Sequence, residues 1–333
     1  MQIHRPIGIA LATLLVPVGS AGAAVAPGHD HDCIVGTPPR SVDWSALHNP
    51  IVSFPTIGVK DQALQWSGGA WHMLYSDMTE TTSAPSVHFS VAISSSSDLS
   101  HWSSPRIIAA NAASPDIVRS PTGRFVVTYQ TPSGLEYRTS TNDALHSWSP
   151  AHPLGHGLAS RMIDGALAFT GHGVILGFKA GTTSQHFEIA WAPTLGGTFT
   201  LIGQPDIEIY DDTVENYEFL TTGDTWRLVA TSNSFDQPFI FTLGPGDPSV
   251  PSTWLHWVEG RQLEVPSQSF NTGTGVSSVT FEHANSAFLC VGPYGENYLT
   301  YAGSTELTQY GGWGHARIGI ARSNNLVNWQ TPP

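Results

Sequence analysis

Apolar and polar positions alternate along this chain in a repeating order. In four places an acidic position opens an apolar run, a turn containing glycine follows, and a second apolar run rich in aromatic residues comes next. The four copies are VKDQALQWSGGAWHMLYS, SPDIVRSPTGRFVVTYQ, IDGALAFTGHGVILGF and VENYEFLTTGDTWRLVATS. Short apolar runs separated by tight turns are typical of antiparallel hairpins, so each copy predicts two paired strands.

A second pattern closes each repeat with an aromatic residue. AISSSSDLSHWSSP, YRTSTNDALHSWSP and IGIARSNNLVNWQTP share an apolar strand, a polar turn and a Leu-x-x-Trp ending, and two looser copies bring the count to five units. The closing residues, which we expect to pack against the next blade, are Trp102, Trp148, Phe199, Trp257 and Trp329. Repeats of roughly 50 residues have the spacing of propeller blades. The sequence therefore predicts an all-β, five-bladed β-propeller in a single domain.

The composition supports this fold and excludes some classes of binding partner. The 333 residues include 33 Gly and 24 Pro, which suits many turns, and 26 acidic against 13 basic residues give a formal charge of -13. The sequence contains no Lys/Arg cluster, which argues against nucleic acid or an anionic membrane as the partner. A neutral polymer is compatible with this charge.

The N-terminus has the pattern of an export signal. His4 and Arg5 precede an apolar stretch, and Ala21 and Ala23 suit the recognition positions of a signal peptidase. A membrane anchor is the weaker alternative because the apolar stretch is shorter than the about 20 residues that span a bilayer. We therefore predict a signal peptide at 1–23 and a secreted protein.

The rest of the chain divides into an arm and the propeller. Residues 24–40 are rich in Pro, Gly and His and predict an extended N-terminal arm, and residues 41–333 form the propeller domain. HDHD at 29–32 is interpreted as a solvated terminus rather than a metal site. The only two cysteines, Cys33 and Cys290, predict a disulfide in an exported protein, with two buried free thiols as the alternative.

Four carboxylates open the repeats and carry the candidate chemistry. They are Asp61, Asp116, Asp164 and Glu215. A propeller brings the starts of its inner strands to one axis, so these side chains are expected to converge there. Glycoside hydrolysis needs two such carboxyl groups, one to protonate the leaving oxygen and one to activate water or attack the sugar.

The surroundings of each acid suggest its role. Asp61 follows Lys60, which could hold it ionised as a general base, although a lone acid at a strand start is also a common cap. Asp164 stands in an apolar run and needs a partner or a shifted pKa. Glu215 has the longer arm and is the expected general acid. Strand alternation places its competitor, Glu218, on the opposite face and away from the axis.

Two repeats are less regular. Asp116 follows Pro115 and either lines the site or caps a structural turn. The fifth repeat has Ser277 and Ser278 where a carboxylate is expected.

A loop near the end adds candidate ligand contacts. Tyr310, Trp313 and Arg317 lie in the segment YGGWGHAR, which is poor at core packing because it is rich in glycine. Such loops commonly contact ligands. We therefore assign these three residues to substrate binding.

At these residues the chain resembles glycoside hydrolase families 43 and 62, and more closely family 62, the α-L-arabinofuranosidases that trim arabinoxylan. The matching motifs are Lys60-Asp61, Ile163-Asp164, Glu215 in VENYEFL, Gln130 in TYQTPSGLEYRTSTND and the loop before the last strand. The resemblance implies a five-bladed propeller and hydrolysis with inversion. It implies Asp61 as base, Asp164 as the group that tunes the acid and orients substrate, and Glu215 as acid, with Lys60, Asp116 and Gln130 contacting substrate.

The resemblance also bears on the disulfide and on metal. The family joins an early cysteine to one in the last blade, as Cys33 and Cys290 would. Its fifth-blade histidine, which helps hold an axial Ca²⁺, falls within the segment that is GVSSVTF here. No metal ligand is therefore assigned and no cofactor is expected to be required, with an axial Ca²⁺ as the alternative.

Three functions remain open from the sequence. The first is a secreted, monomeric hydrolase that removes α-L-arabinofuranosyl groups from arabinoxylan or arabinan, with plant cell-wall polysaccharide as its partner. The second is a related propeller glycosidase acting on a β-xyloside, a galactoside or the arabinan backbone. The third is a glycan-binding propeller without turnover, which three axial acids argue against.

Overall fold

Five antiparallel sheets surround a common axis in this protein. The structure, a computed structural model, describes residues 33–37, 42–82, 87–158, 161–180, 186–207, 213–233, 236–274, 280–282, 284–292, 295–305, 310 and 314–333. The expected signal peptide, residues 24–32 of the arm, Trp313, Ser277 and Ser278 lie outside this part of the chain. Within it, no helix is both long enough and apolar enough to cross a bilayer.

Each sheet is one blade, with its strands in sequence order from the axis outward. Blade 1 contains β1 Gly58–Ser67, β2 Ala70–Glu80, β3 Val87–Ser96 and β4 Arg106–Ala110. Blade 2 contains β5 Ala113–Arg119, β6 Phe125–Thr131, β7 Gly134–Thr139 and β8 His152–Pro153. Blade 3 contains β9 Met162–Thr170, β10 Gly173–Ala180, β11 His186–Ala192 and β12 Thr200–Gly203.

The second half of the chain completes the ring. Blade 4 contains β13 Val214–Thr222, β14 Thr225–Ser232, β15 Pro238–Leu243 and β16 Trp257–Gln262. A hairpin of β17 Thr272–Thr274 and β18 Thr280–Glu282 precedes blade 5, which contains β19 Asn285–Val291, β20 Asn297–Gly303 and β21 Arg317–Ser323. Two short 3₁₀ helices span Trp44–Ala46 and Pro251–Leu255. The inner strands contact one another in the cyclic order β1, β5, β9, β13, β19 and back to β1, which confirms the five-bladed propeller.

Every inner strand carries a β-bulge at the same position, where two residues oppose one residue of the second strand. The bulged pairs are Asp61–Gln62, Ser114–Pro115, Asp164–Gly165, Asn216–Tyr217 and Ser286–Ala287. A bulge bends its strand and re-aims the side chain of the extra residue. In this protein it turns the first member of each pair toward the axis, where these side chains contact one another.

The backbone explains which residue types occupy the bulges. The first residue of every pair has a positive φ between 51° and 53°. Most side chains are strained in this left-handed region, and short polar side chains such as Asp and Asn tolerate it better than others. The five positions accordingly hold two Asp, one Asn and two Ser. The bulge therefore bends each inner strand and, through its positive φ, also favours short polar side chains at the axis.

The ends of the chain close the ring at blade 5. Val52 pairs with Ile318 through two backbone hydrogen bonds, so an N-terminal residue adds to the outer edge of the last blade. Cys33 and Cys290 form a disulfide, as the sequence predicted. Ile34 then pairs with Trp66 of blade 1. The first and last blades are thus held together covalently and by main-chain hydrogen bonds.

Side chains between the blades form the core. Gly177 of blade 3 faces Phe219 of blade 4 so closely that a Cβ on Gly177 would lie 2.7 Å from the phenylalanine ring. At the outer turn of blade 1, Ser96 Oγ accepts from the N–H groups of Asp98 and Leu99, and Trp102 Nε1 donates to Leu99 O. Trp102 and Trp148 both pack on the core cluster shared by blades 1, 2 and 5.

Candidate active site

The positions of the bulges show that the four carboxylates are not all equivalent in the structure. Asp61 and Asp164 are equivalent, since each is the first bulge residue of its blade. Glu215 stands one residue before the bulge of blade 4, and Asp116 stands two residues after the start of the bulge in blade 2. The prediction that all four share one position was wrong because a bulge changes the register without leaving a mark in hydrophobic periodicity. In blade 5 the equivalent residue is Ser286.

Asp61 is the centre of a hydrogen-bond network that draws on four blades. Ser286 Oγ donates to its Oδ1 over 2.7 Å and Asn216 Nδ2 donates to the same oxygen over 3.3 Å. Ser76 Oγ donates to Oδ2 over 2.6 Å, and Ser114 Oγ lies 3.4 Å from that oxygen. A carboxylate that receives several donors is stabilised in its ionised form. Asp61 is only 5% exposed, so these contacts also compensate its burial.

Asp164 lies beside this network, but its surroundings disfavour a negative charge. Burial, reinforced by the negative charges of Glu215 and Asp61, raises the pKa of Asp164 to about 7. The Ser114 hydroxyl also hydrogen-bonds to Asp164, so one hydroxyl group serves two carboxyl groups. The backbone N–H of Asp164 donates to Gln130 Oε1 over 3.0 Å. Gln130 therefore fixes the strand that carries Asp164.

Glu215 is the most accessible of the three carboxylates. Its side chain is 24% exposed, and Lys179 Nζ donates to its Oε2 over 2.8 Å. Lys179 comes from β10 of blade 3, whereas Glu215 comes from β13 of blade 4. An ion pair across the blade boundary therefore holds the carboxylate expected to face the substrate.

A second buried lysine accompanies Asp61. Lys60 Nζ lies 3.3 Å from Asp61 Oδ1 and is itself buried. Burial disfavours its charge, but the carboxylates of Asp61, Glu215 and Asp164 outweigh that effect and raise the pKa of Lys60. The pocket thus combines two ammonium groups with three carboxyl groups.

Two further carboxyl groups, Asp116 and Glu218, line the same axial cavity as Asp61 and Asp164. They occupy equivalent positions in blades 2 and 4. Burial raises the pKa of Asp116 to about 7 and the pKa of Glu218 well above its usual value. Backbone N–H groups of the next blade donate to them, from Leu167 to Asp116 Oδ2 and from Leu289 to Glu218 Oε2. Glu218 was expected to point away from the axis, which is wrong because the bulge shifts the alternation of the strand.

The predicted loop contacts lie beside blade 1. Tyr310 is buried, and its ring stacks on His315 with the centroids 5.1 Å apart. Its N–H donates to Glu80 Oε1, and its ring would lie 3.5 Å from a Cβ on Gly58, three residues before Asp61. Arg317 opens β21 and is half-buried. Tyr310 is thus packed into the wall, and the substrate contacts of Tyr310, Trp313 and Arg317 stay predictions.

The described residues do not assemble an obvious metal site. Among them, no group of three or more His, Cys, Asp or Glu side chains is placed to hold an ion. Most of the segment GVSSVTF, which aligns with the calcium-binding histidine of family 62, lies outside these residues, and the expectation that no cofactor is required stays a prediction.

Fold and site together define a class: a five-bladed propeller in which the carboxyl groups of Asp61, Asp164 and Glu215, from blades 1, 3 and 4, lie near enough at the axis for their charges to interact. No protein-family profile matches the chain, and no curated protein matches it in sequence. Solved structures do match its fold.

An α-L-arabinofuranosidase from Podospora anserina in complex with cellotriose is 12% identical, with a TM-score of 0.56, covering 84% of this chain and 96% of that chain. An α-L-arabinofuranosidase from Lactobacillus brevis is 12% identical, with a TM-score of 0.58, covering 84% and 94%. A thermostable family-43 glycoside hydrolase is 12% identical, with a TM-score of 0.55, covering 86% and 96%. The chain therefore has the five-bladed propeller fold of these glycoside hydrolases.

Several residues of the pocket were missed in the sequence. Ser76, Asn216 and Ser286 contact Asp61 but look like ordinary strand or turn residues, and only the bulges bring them to the axis. Lys179 did leave a signal. It is a single lysine at the end of the apolar run GVILGF, and a lysine in such a run needs a buried partner.

Proposed function

We propose that this protein is an exported glycoside hydrolase that removes α-L-arabinofuranosyl groups from arabinoxylan or arabinan with inversion. One observation carries the proposal. Asp61 and Asp164 are almost fully buried at 5% and 7% exposure, whereas the neighbouring Glu215 side chain is 24% exposed. A buried base and a more accessible acid on one pocket are the two groups that glycoside hydrolysis requires.

Glu215 acts as the general acid. Its proton passes to the glycosidic oxygen as the bond to the anomeric carbon breaks, which makes the polysaccharide a better leaving group. The ammonium group of Lys179 stabilises the carboxylate that this transfer leaves behind. Asp164 stays neutral below about pH 7 and hydrogen-bonds within the pocket, so it adds no second negative charge beside the acid.

Asp61 acts as the general base. Its longest hydroxyl contact is the one of 3.4 Å to Ser114, whose hydroxyl also reaches Asp164. When this hydroxyl turns to Asp164, Oδ2 of Asp61 keeps its hydrogen bond from Ser76 and can accept a second one from water in place of Ser114. Asp61 then takes a proton from that water as its oxygen bonds to the anomeric carbon.

The charge of the chain favours a neutral glycan. The chain is acidic as a whole, with a formal charge of -13, which disfavours a polyanionic substrate.

The fold neighbours support the choice of arabinofuranosides, since two of them are named as α-L-arabinofuranosidases. The disulfide supports export because such bonds persist mainly in oxidising compartments. Plant cell-wall polysaccharide is then the natural substrate.

The test is release of sugar by the purified, folded protein. We expect free arabinose from arabinoxylan, from arabinan and from an aryl α-L-arabinofuranoside, with the β-anomer appearing first in ¹H NMR, and none of it with Asp61→Asn. Release of xylose or galactose from a wider panel would correct the sugar but keep the hydrolase. A folded protein that releases nothing from any glycan of the panel would contradict the proposed function.

A further inference from the structure

The distribution of lysine in this protein is unusual. The 333 residues contain two lysines, Lys60 and Lys179, while the other basic residues are arginines. Lysine is normally a surface residue and almost never fully buried unless paired. Both lysines here are buried, and each is paired with a carboxylate of the axial pocket. Both ammonium groups of this protein therefore lie beside carboxylates that we propose as the acid and the base.

Lys179 is placed by the bulge of its own blade. It pairs with Ile163, the residue immediately before Asp164, at the point where the register of β9 and β10 shifts. From there its side chain reaches into blade 4, and Nζ donates to Oε2 of Glu215 over 2.8 Å. Among the described residues, Lys179 is the one hydrogen-bond partner of the Glu215 carboxyl. The contact is therefore what sets the orientation of this group.

We propose that Lys179 is a positioning residue that directs the catalytic proton of Glu215 onto its Oε1 atom. This inference rests on the proposed function, in which Glu215 is the general acid. It assigns a role to a residue that neither the repeats nor the family motifs pointed to.

The chemistry follows from the hydrogen-bonding capacity of the two groups. An ammonium group has donors and no acceptor, so a proton on Oε2 would face a donor and lose its hydrogen bond. The neutral carboxyl group therefore carries its proton on Oε1 and accepts from Lys179 at Oε2. During the reaction the proton moves from Oε1 to the leaving oxygen, and Asp61 receives the proton of the attacking water. Exchange with solvent restores both groups.

A purely structural role for the ion pair predicts different behaviour. In that case replacing Lys179 would lower stability and would reduce the rate on all substrates alike. A positioning role predicts a loss that depends on how much the leaving group needs the proton.

Because the chain has two lysines, the contact can be observed without turnover. Protein labelled with ¹³C at lysine Cε gives two signals, which Lys60→Arg and Lys179→Arg assign. We expect the Lys179 signal to move in Glu215→Gln, because its ammonium group loses the partner at 2.8 Å, while the Lys60 signal stays close to its wild-type position. An unchanged Lys179 signal in Glu215→Gln would overturn the proposal, whether or not a substrate is known. The proposed function is tested separately by sugar release.

The kinetic test compares Lys179→Met with Lys179→Arg. For Lys179→Met we expect kcat on arabinoxylan to fall about 10- to 100-fold with little change in KM, and a smaller loss on an aryl glycoside with a good leaving group. Lys179→Arg should restore part of this loss. Equal losses on the two substrates would contradict the positioning role.

A double variant covers the case in which Lys179→Met fails to fold. Lys179→Met/Glu215→Gln leaves no buried charge unpaired, so it is the safer substitution. It should hydrolyse the aryl glycoside as fast as Glu215→Gln alone, because Lys179 acts only through Glu215. A further drop below Glu215→Gln would show that Lys179 has another role and would overturn the proposal.

Discussion

Ser286 Oγ donates to Asp61 Oδ1 over 2.7 Å, which joins the last blade to the first at the axis. The two residues are far apart in sequence but are equivalent in structure, since each is the first bulge residue of its inner strand. Asp61 therefore has its full set of donors only when the ring is closed. Closure of the propeller therefore also completes the hydrogen bonds of Asp61, the proposed base.

Removing this contact tests the network around the base. For Ser286→Ala we expect kcat/KM to fall about tenfold on natural and activated substrates alike, since both need an activated water. Ser94→Ala is the matched control, since Ser94 is also a buried serine of a blade but hydrogen-bonds to Tyr75. The activity of this variant should stay at the wild-type level.

The roles of acid and base are separated by two amide substitutions. Glu215→Gln keeps the size of the side chain but has no proton to give, so turnover of arabinoxylan should fall by roughly 10²–10⁴. An activated aryl glycoside should lose much less, because its leaving group hardly needs protonation. Asp61→Asn should disable both substrates. Initial rates on the two substrates measure the difference.

Glu218 provides the control for this experiment. Glu218 is buried and accepts the N–H of Leu289 from blade 5, so we expect that Glu218→Gln does not discriminate between the two substrates. If Glu218→Gln instead shows the selective loss and Glu215→Gln reduces both rates equally, then Glu218 is the acid.

Asp116 makes stability depend on pH. Burial raises its pKa from 3.8 to about 7 in the folded protein, so the folded state binds this proton more tightly than the unfolded chain does. The free energy of unfolding should therefore fall as pH rises from about 4 to about 7 and should lose nothing further from this group above that range. Asp116→Asn removes the charge and should raise Tm by several degrees at pH 8, with little gain near pH 4.

Thermal unfolding followed by circular dichroism at both pH values is the measurement. Asp224→Asn, at an exposed turn, is the control and should leave the pH dependence unchanged. A wild-type Tm that does not fall across this range would contradict the buried neutral state of Asp116.

The disulfide should contribute strongly to stability. Cys33 and Cys290 are separated by 257 residues, and a loop of that length predicts about 5 kcal/mol from the restricted unfolded chain. Cys33→Ser/Cys290→Ser should therefore lower Tm markedly, and reducing agent should lower the wild-type Tm toward that of the variant. The rate on arabinoxylan at 25 °C should change little, because the bond lies away from the pocket. Equal Tm values for oxidised wild type and double variant would contradict this prediction.

The sequence by itself determined the repeating units and the chemistry of their closing positions. Polar turns and Leu-x-x-Trp endings recur because every blade makes the same local turn, so the number of blades can be counted from them. The disulfide was also predictable, since an exported chain with two cysteines near its ends has one pairing available. Asp61, Asp164 and Glu215 could be named because each opens an apolar strand.

Only the tertiary structure decided how these residues meet. A bulge inserts one residue without changing hydrophobic periodicity, so the sequence could not show that Asp61 is equivalent to Ser286, or that Glu218 turns to the axis. Lys179 and Glu215 lie on different blades, and their ion pair depends on the contact between those blades. Patterns of neighbouring residues in the sequence reflect turns and hydrogen bonds within one blade. The axial site is instead formed by side chains of different blades, which come together only when the ring closes.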